Sequence, residues 1–278
     1  MKNLLIKTFN ITNDSIILAI PLVIFIVILN AYIDYTQIAA KTLPGLLLAF
    51  LTVFFMVGAF LSGWFYMVKK TIKFAQKEFV MDSDRTKELI NLFRKIPTGI
   101  GKYFLSFIFF AFFVLVLAVV ITNILGIIGI IFIGIPDINP ALIKSFGTTV
   151  AEHRAFLNSL SYTQLTCLFR WEILIYAGYV LTLFFTFLWV PEIIYSTKNA
   201  FFALFLSMKK ICKKFLKTMG VFVIFVFLHT FVTLIMEFIN VTPIIYILAF
   251  MLKFYLVVYS TILVFIYYEN EFIEADAQ

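Results

Sequence analysis

The sequence predicts an all-α protein, a polytopic bundle of about six transmembrane helices with two cytoplasmic amphipathic helices. Three observations predict this class. The chain of 278 residues is 63% hydrophobic and only 13% charged, whereas soluble domains are about 45–50% apolar and about 25% charged. The apolar residues fall in runs long enough to cross a bilayer. Nearly all Lys and Arg residues lie in alternate gaps between those runs.

Six segments reach the length of about 20 largely apolar residues that a transmembrane helix needs. Together with their connecting loops they form one predicted domain, residues 1–278. The six predicted spans are 15–33, 46–68, 103–125, 171–191, 220–239 and 244–268. An apolar stretch, 126–135, follows the third span. The sequence leaves open whether this stretch continues the span or forms a re-entrant piece.

The uneven placement of Lys and Arg predicts the orientation. The second gap holds nine of these residues and the fourth gap six, while the first gap holds only Lys41 and the fifth gap holds none. Cytoplasmic loops are enriched in Lys and Arg. We therefore expect the second and fourth gaps and both termini in the cytoplasm. Lys greatly outnumbers Arg, and Phe, Ile and Asn are abundant. This composition indicates a bacterial cytoplasmic membrane.

The connector at 201–217 is predicted to be a helix with two unlike faces. Apolar side chains fill one face, and the opposite face holds Lys209, Lys210, Lys213, Lys214 and Lys217. Helices with this pattern lie in the membrane interface. One interpretation is docking on membrane lipids, anionic ones included, or on membrane protein partners. The other is that the lysines only hold the orientation while the helix packs on the bundle. A second, weaker stripe occupies residues 87–96.

Ionisable residues at membrane depth are candidates for function. Lys253 lies near the middle of the sixth predicted span, His229 near the middle of the fifth, and Glu237 near the outer end of the fifth. A tight turn between these spans places the three side chains at similar depths. They are interpreted either as a proton or substrate path or as a structural clamp. Alternatively, Lys253 extends toward the interface.

No pattern in the chain indicates catalysis, a cofactor or a metal site. HExxH, GxSxG and GxGxxG are absent, and the acidic residues do not cluster within any span. His153 has no second histidine or cysteine at ligand spacing. Cys167 and Cys212 fall on opposite sides of the membrane in the predicted topology, so they cannot form a disulfide. The net charge of +7 reflects cytoplasmic loops rather than nucleic-acid binding.

Two further patterns concern packing. Gly58 with Ser62, and Ala59 with Gly63, are pairs of small residues four positions apart, a spacing that lets a neighbouring helix approach closely. Tryptophans near span ends are typical of an interfacial aromatic belt. In this chain they are Trp64, Trp171 and Trp189.

Three short motifs near the C-terminal half carry a family resemblance. They are Pro191-Glu192 at a span end, Ala203-Leu204-Phe205-Leu206-Ser207 before a basic run, and the closing pair Tyr267-Tyr268. Over about residues 185–270 the chain resembles bacterial six-span membrane proteins of the DUF975-type and YciC-like superfamily. This superfamily includes the membrane domain of some glycerophosphodiester phosphodiesterases. Leu206 departs from the Lys or Arg usual before the Ser. The resemblance implies an integral membrane protein and no catalytic residues.

Two function classes follow from these observations. The first is a non-enzymatic scaffold or accessory protein that uses its basic helices at the cytoplasmic face. The second is a small transporter or permease-like subunit that uses Lys253, Glu237 and His229. A transporter is expected to show a polar cavity at mid-membrane that reaches Lys253, whereas a scaffold is expected to have a closed apolar core. A membrane-embedded enzyme acting on lipid has the least support.

Overall fold

The computed structural model describes residues 1–75, 90–136, 156–238 and 243–274, without the side chains of residues 232, 235–238 and 243–246. Every regular element in these ranges is helical, which confirms the all-α class. The principal α-helices are α1 Lys2–Asp14, α2 Ala19–Ala39, α3 Leu43–Ala75, α4 Lys95–Phe132, α5 Tyr162–Thr186, α6 Trp189–Tyr195, α7 Ala200–Lys213, α8 Phe215–Phe238 and α9 Pro243–Tyr268. A π-helical turn, Glu269–Ile273, follows α9.

Within the described ranges, five helical segments are long and apolar enough to cross a membrane, as expected of a membrane protein. They are Ile16–Ala39, Leu43–Ala75, Ile90–Phe132, Tyr162–Tyr195 and Ile247–Ile273. The fifth predicted span falls on α8, whose described apolar part, Phe215–Phe231, is shorter. Each of the six predicted spans therefore coincides with a helix, and the count of six crossings stays a prediction.

The outward faces of these helices are apolar. Large hydrophobic side chains such as Ile24, Val27 and Ile28 on α2 are about half exposed, and α4 shows the same pattern at Val119 and Ile127. A soluble monomer rarely exposes contiguous apolar patches of this extent. Contact with lipid chains removes the cost of that exposure, so these faces fit a bilayer environment.

The contacts divide the chain into two compact units, Met1–Phe112 with Phe185–Gln278, and Phe113–Phe184. The single-domain interpretation stays a prediction. In the first unit, aromatic rings form the core: Phe65 stacks on Phe107 and on Phe265, with centroids 5.6 and 5.8 Å apart. Met67 and Ile262 are fully buried in the same unit. Offset aromatic pairs of this kind add about 0.5–1.5 kcal/mol beyond the area that they bury.

Small residues on α3 allow α4 to approach closely, as the spacing predicts. A Cβ at Gly63 would lie 2.7 Å from Ile96 Cγ2, and a Cβ at Gly99 would lie 2.9 Å from the Gly63 Cα. A Cβ at Gly58 would likewise lie too close to the Ile108 side chain. These glycines therefore set the distance between the two helices in the first unit.

The second unit resolves the alternative at residues 126–135. Helix α4 continues without interruption through Gly126 and Gly129 to Phe132, so most of the apolar stretch belongs to the helix. Gly134 follows the end of the helix, and its φ of +86° is the left-handed conformation that commonly terminates helices. The Trp171 indole contacts Gly129, and its Nε1 donates to the Gly134 carbonyl at 2.9 Å.

Two of the tryptophans differ from the belt prediction. Trp64 and Trp189 are 3% and 1% exposed. Their indole nitrogens donate to buried carbonyls, Trp64 to Leu18 at 2.9 Å and Trp189 to Ala200 at 2.7 Å. They are internal anchors rather than interfacial rings, because a hydrogen bond to a backbone carbonyl satisfies each buried indole N–H.

The N-terminal helix α1 was not predicted. Its sequence is polar and lacks the long apolar run on which the span prediction depended. It packs along α9 in the antiparallel direction: Tyr259 Oη donates to the Leu5 carbonyl at 3.5 Å, and Tyr255 Oη donates to Asn13 Oδ1 at 2.8 Å. The beginning of the chain therefore lies beside the end of α9.

Candidate functional site

The polar side chains of the first unit concentrate at one end, which we call the basic end. Here the C-terminus of α3 and the N-terminus of α4 meet α6, α7 and the end of α9. The described lysines of the second and fourth gaps that contact other elements do so here, and Lys7 of α1 joins them, donating to Asn270 Oδ1 at 3.4 Å. The grouping agrees with the predicted same-side placement of these segments.

Among the described residues of the basic end, Glu192 is the most deeply buried acidic one, with 0% of its surface exposed. It lies on the short helix α6, whose neighbours Trp189, Ile193 and Ile194 are also buried. An isolated carboxylate in such a place is strongly unfavourable unless it is paired and hydrogen-bonded. The surroundings of Glu192 meet this requirement.

Two side chains, Lys210 and Tyr268, contact the Glu192 carboxylate, and Ser196 joins them through Tyr268; we call the four residues together the Glu192 cluster. Lys210 Nζ lies 2.9 Å from Glu192 Oε2 and 3.2 Å from Oε1. Tyr268 Oη donates to Oε2 at 2.6 Å and itself accepts from Lys210 Nζ at 2.6 Å. Ser196 Oγ lies 2.8 Å from Tyr268 Oη. The cluster ties α6, α7 and α9 together.

A second set of contacts holds the end of α6. Lys69 Nζ donates to the Ile194 carbonyl at 2.8 Å, and Tyr103 Oη donates to the same oxygen at 3.1 Å. The Lys69 ammonium also lies 4.3 Å from the centre of the Tyr195 ring. Carbonyls at a helix C-terminus lack intrahelical partners, and a lysine there also interacts favourably with the helix dipole.

Not every buried polar atom at the basic end is satisfied. Among the described residues, Tyr195 Oη and Glu269 Oε2 are buried and have no hydrogen-bond partner. A buried polar group left unpaired costs about 1–3 kcal/mol. The surroundings of Tyr195 and Glu269 therefore stabilise the fold less than the contacts of the Glu192 cluster do.

The third set of contacts joins the α7–α8 junction to the turn after α9. Lys214 Nζ lies 2.8 Å from Glu271 Oε2 and donates to the Glu271 carbonyl at 2.6 Å. Lys217 Nζ lies 3.2 Å from the same carboxylate, with 66% of its side chain exposed. Exposed pairs are worth about 0–1 kcal/mol, so Lys214 contributes more to this junction than Lys217.

The structure separates the five lysines that were predicted to share one outward face. Lys210 and Lys214 turn toward the bundle and are paired, and Lys217 pairs with Glu271 at the rim. Lys209 and Lys213 remain exposed. Acidic and phenolic partners from α6 and from the end of α9 draw Lys210 and Lys214 inward, and a lipid- or partner-facing role of the five lysines stays a prediction.

Only a small part of the predicted apolar face of 201–217 packs on the bundle. The side of α7 that packs on the bundle consists of the small or medium side chains Ala200, Ala203, Ser207 and Ile211. Most of the large apolar side chains point outward and are exposed, namely Phe201, Phe205, Met208, Phe215 and Leu216. Asn199 fixes the start of this helix by accepting from the amides of Phe201 and Phe202.

The mid-membrane candidates are only partly brought together. Lys253 and His229 are both exposed and line one groove of about 190 Å³ between α8 and α9, with Thr233 and Ser260. The lining residues come from these two helices alone, so the groove lies on the side of the helix pair. Glu237 belongs to α8, but its side chain lies outside the described part of the chain.

The described residues include no group of three or more His, Cys, Asp or Glu side chains that could hold a metal ion. Cys212 is exposed and Cys167 is half-buried, and both are free thiols. His153 lies outside the described residues, and so does the start of the predicted stripe, 87–89; farther along the stripe Leu92 is buried and Phe93 and Ile96 are half-buried. What the site offers chemically is fixed positive charge beside apolar side chains.

Sequence reasoning missed Glu192 and Tyr268 as partners of the lysines, although a signal was present. The motifs that carry the resemblance contain Glu192, Ser207 and the Tyr267-Tyr268 pair. The structure brings them together: Ser207 is buried on α7, Tyr268 contacts Glu192, and Tyr267 Oη lies 2.7 Å from Thr218 Oγ1. Motifs separated in sequence thus form one contact region.

No protein-family model, curated protein or solved structure matches the chain.

Proposed function

We propose that the protein is a non-enzymatic scaffold or accessory protein of a bacterial cytoplasmic membrane, which holds α7 as a basic interfacial helix on the cytoplasmic leaflet. Its ligands there are anionic membrane lipids, with membrane protein partners sharing the same surface. The observation that carries the proposal is the Glu192 cluster. It fixes the rotation of α7 so that Lys209 and Lys213 stay exposed while Lys210 is paired.

The exposed side chains of α7 match those of interfacial helices. Phe201 and Phe205 are 46% and 55% exposed on a helix that also presents Lys209 and Lys213. Interfacial helices bury large apolar side chains at the headgroup boundary and keep lysines beside anionic headgroups. Each lysine near such a surface is worth roughly 1 kcal/mol. Two of them therefore favour anionic over neutral lipid by about 30-fold.

The orientation in the proposal rests on the grouping of lysines at the basic end. Lysines of α3, α4, α7 and α8 meet there with the chain start and the turn after α9. Since cytoplasmic segments are enriched in Lys and Arg, the basic end and both termini are assigned to the cytoplasm. Helix α7 then lies against the leaflet that carries anionic lipid.

The test uses a fluorophore on Cys212, an exposed thiol of α7, in a Cys167→Ala background. The labelled protein is reconstituted with small amounts of doxyl-labelled phosphatidylglycerol or phosphatidylcholine in otherwise identical bilayers. We expect phosphatidylglycerol to quench more strongly. The difference should vanish in Lys209→Gln/Lys213→Gln and persist in Lys41→Gln, a matched lysine outside the basic end. Equal quenching by both lipids in the parent protein would contradict the proposal.

A second candidate function is proton or substrate transport, favoured by the groove that His229 and Lys253 share. Its test is proton uptake into proteoliposomes that hold a pH-sensitive dye, driven by a valinomycin potential. Transport predicts uptake by the parent protein and its loss in Lys253→Met. Absence of uptake in the parent protein would count against a proton path and leave the scaffold proposal in place.

A further inference from the structure

The groove between α8 and α9 holds a lysine far from both ends of a helix that is long and apolar enough to cross a membrane. Helix α9 runs from Pro243 to Tyr268. Lys253 lies ten residues after the first of these and 15 before the second, which is about 15 Å and about 22 Å along the axis. Since the hydrocarbon core of a bilayer is about 30 Å thick, we place this groove at the depth of the lipid chains.

Four polar side chains line the groove, two from each helix. His229 and Thr233 lie about one turn apart on α8. Lys253 and Ser260 lie about two turns apart on α9. The hydroxyl protons of Thr233 and Ser260 are used within their own helices, because each hydroxyl donates to a carbonyl three or four residues earlier at 3.1 Å. The donors left for a ligand are therefore the Lys253 ammonium and a ring N–H of His229.

The charge in the groove indicates the sign of the ligand. Both Lys253 and His229 are exposed, and in the part of the chain that the structure describes neither side chain contacts a hydrogen-bond acceptor or an anion. A cation at membrane depth is unfavourable unless an anion pairs with it. The groove therefore suits a ligand that brings negative charge.

A carboxylate matches these donors better than a phosphate does. It carries one negative charge on two oxygens, which can accept from the Lys253 ammonium and from the His229 N–H at the same time. A phosphate monoester carries about 1.5 to 2 negative charges at pH 7, and Lys253 is the one lysine in the lining. The phosphodiester of a phospholipid stays in the headgroup layer, about 15 Å from the centre of the hydrocarbon.

The size of the groove and its apolar lining indicate the rest of the ligand. Its volume of about 190 Å³ is below the range of about 300–1,000 Å³ for sites that enclose a whole small molecule, so the groove holds one end of a ligand. Leu228, Leu256 and Val257 complete the lining. Phe231 and Leu234, also on α8, are 45% and 47% exposed. An alkyl chain is stabilised beside such side chains and among lipid chains.

We infer that the groove binds the carboxylate of a long-chain fatty acid, with Lys253 as its ion-pair partner and His229 as its second donor. The alkyl chain lies in the bilayer along α8 and α9. The inference goes beyond the scaffold proposal and does not rest on it. It supplies a substrate class for the transport candidate but concerns binding alone, so a protein that binds the acid and takes up no protons would keep it.

The experiment is native mass spectrometry of the full chain in detergent, titrated with palmitate. We expect one retained palmitate per protein. Hexadecanol has the same chain length and no charge, and it should bind at least tenfold more weakly. Lys253→Met should weaken palmitate binding at least tenfold, whereas Lys253→Arg keeps the positive charge and should retain most of the affinity. Lys209→Met, at an exposed lysine of α7, is the matched control and should bind as the parent protein does.

Three further measurements identify the group that is recognised. Dipalmitoyl phosphatidylglycerol, which has the same chains on a phosphodiester, should not displace palmitate. Glu237→Gln removes an acid from α8 and should leave palmitate binding unchanged or strengthen it. Dicyclohexylcarbodiimide, which dissolves in lipid, should join the bound palmitate to the Lys253 amine as an amide, taking up the water lost to form dicyclohexylurea. Peptide mass spectrometry should then find the palmitoyl group at Lys253.

Several results would overturn the fatty-acid site. They are equal binding of palmitate and hexadecanol, parent affinity in Lys253→Met, displacement of palmitate by the phospholipid, or no palmitoyl amide at Lys253. A loss in Glu237→Gln as large as that in Lys253→Met would also count against an anionic ligand, because the removal of a carboxylate lowers the repulsion that such a ligand meets.

Discussion

Replacing Lys210 with methionine tests whether the Glu192 cluster holds α7 in place. Methionine keeps most of the volume of lysine and removes its charge and its donors. Glu192 is fully buried, and the Lys210 side chain is 21% exposed. In Lys210→Met the carboxylate keeps Tyr268 as a donor but has lost the nearby cation. Removing one partner of a buried pair costs about 3–5 kcal/mol, and we expect a loss of that size.

A thermodynamic cycle separates the ion pair from side-chain packing. Glu192→Gln in the Lys210→Met background removes the buried charge and leaves a carbonyl that can accept from Tyr268. Replacing both partners of a buried pair with neutral residues of similar volume is often close to neutral. The double variant should therefore recover most of the stability lost in Lys210→Met, with strong coupling between the two positions.

The assay is unfolding in mixed micelles with increasing SDS, followed by tryptophan fluorescence. Trp189 is a suitable reporter because its indole is buried and donates to the Ala200 carbonyl at the start of α7. Lys209→Met is the matched control, since Lys209 is the exposed neighbour and surface changes usually stay within about 0.5 kcal/mol. Equal losses in Lys210→Met and Lys209→Met, or no recovery in the double variant, would refute the reasoning.

Two further predictions concern packing and orientation. Gly99→Ala should lower stability by about 1–3 kcal/mol, because its Cβ would lie 2.7 Å from Tyr66 Cβ. Gly101→Ala, with nothing within 4 Å, should be neutral or gain up to about 1 kcal/mol; equal effects in SDS unfolding would contradict the packing. In a cysteine-free background, a membrane-impermeant maleimide should label Lys213→Cys from the cytoplasmic side and Lys41→Cys from the opposite side. Labelling of both from one side would refute the orientation.

The helical elements were largely predictable, and the exceptions have physical causes. Each predicted span coincides with a helix because an apolar run of about 20 residues can satisfy its backbone in lipid only by forming one. Helix α1 was not predicted, because the residues that it contacts, Tyr255 and Tyr259, lie more than 240 positions away in the chain. The continuation of α4 through Gly126 and Gly129 stayed open, since glycine is compatible with both alternatives.

The pairing of the lysines of 201–217 could not be predicted from the sequence. Helical periodicity placed Lys209 and Lys210 on the same face, yet one is exposed and the other is paired with a buried carboxylate. The difference comes from Glu192, 18 positions before Lys210, and from Tyr268, 58 positions after it. The sequence contains no local signal for such partners, apart from the motifs that carry the resemblance.

The sequence by itself determined the helical class, the apolar segments and the uneven distribution of positive charge. Those properties depend on each segment separately, because the transfer of a run of side chains into lipid depends on its own composition. Only the tertiary structure decided which lysines of α7 are paired and which face of that helix is exposed. Those outcomes depend on how helices rotate and pack against one another, and a buried carboxylate from another helix overrides the pattern within a single one.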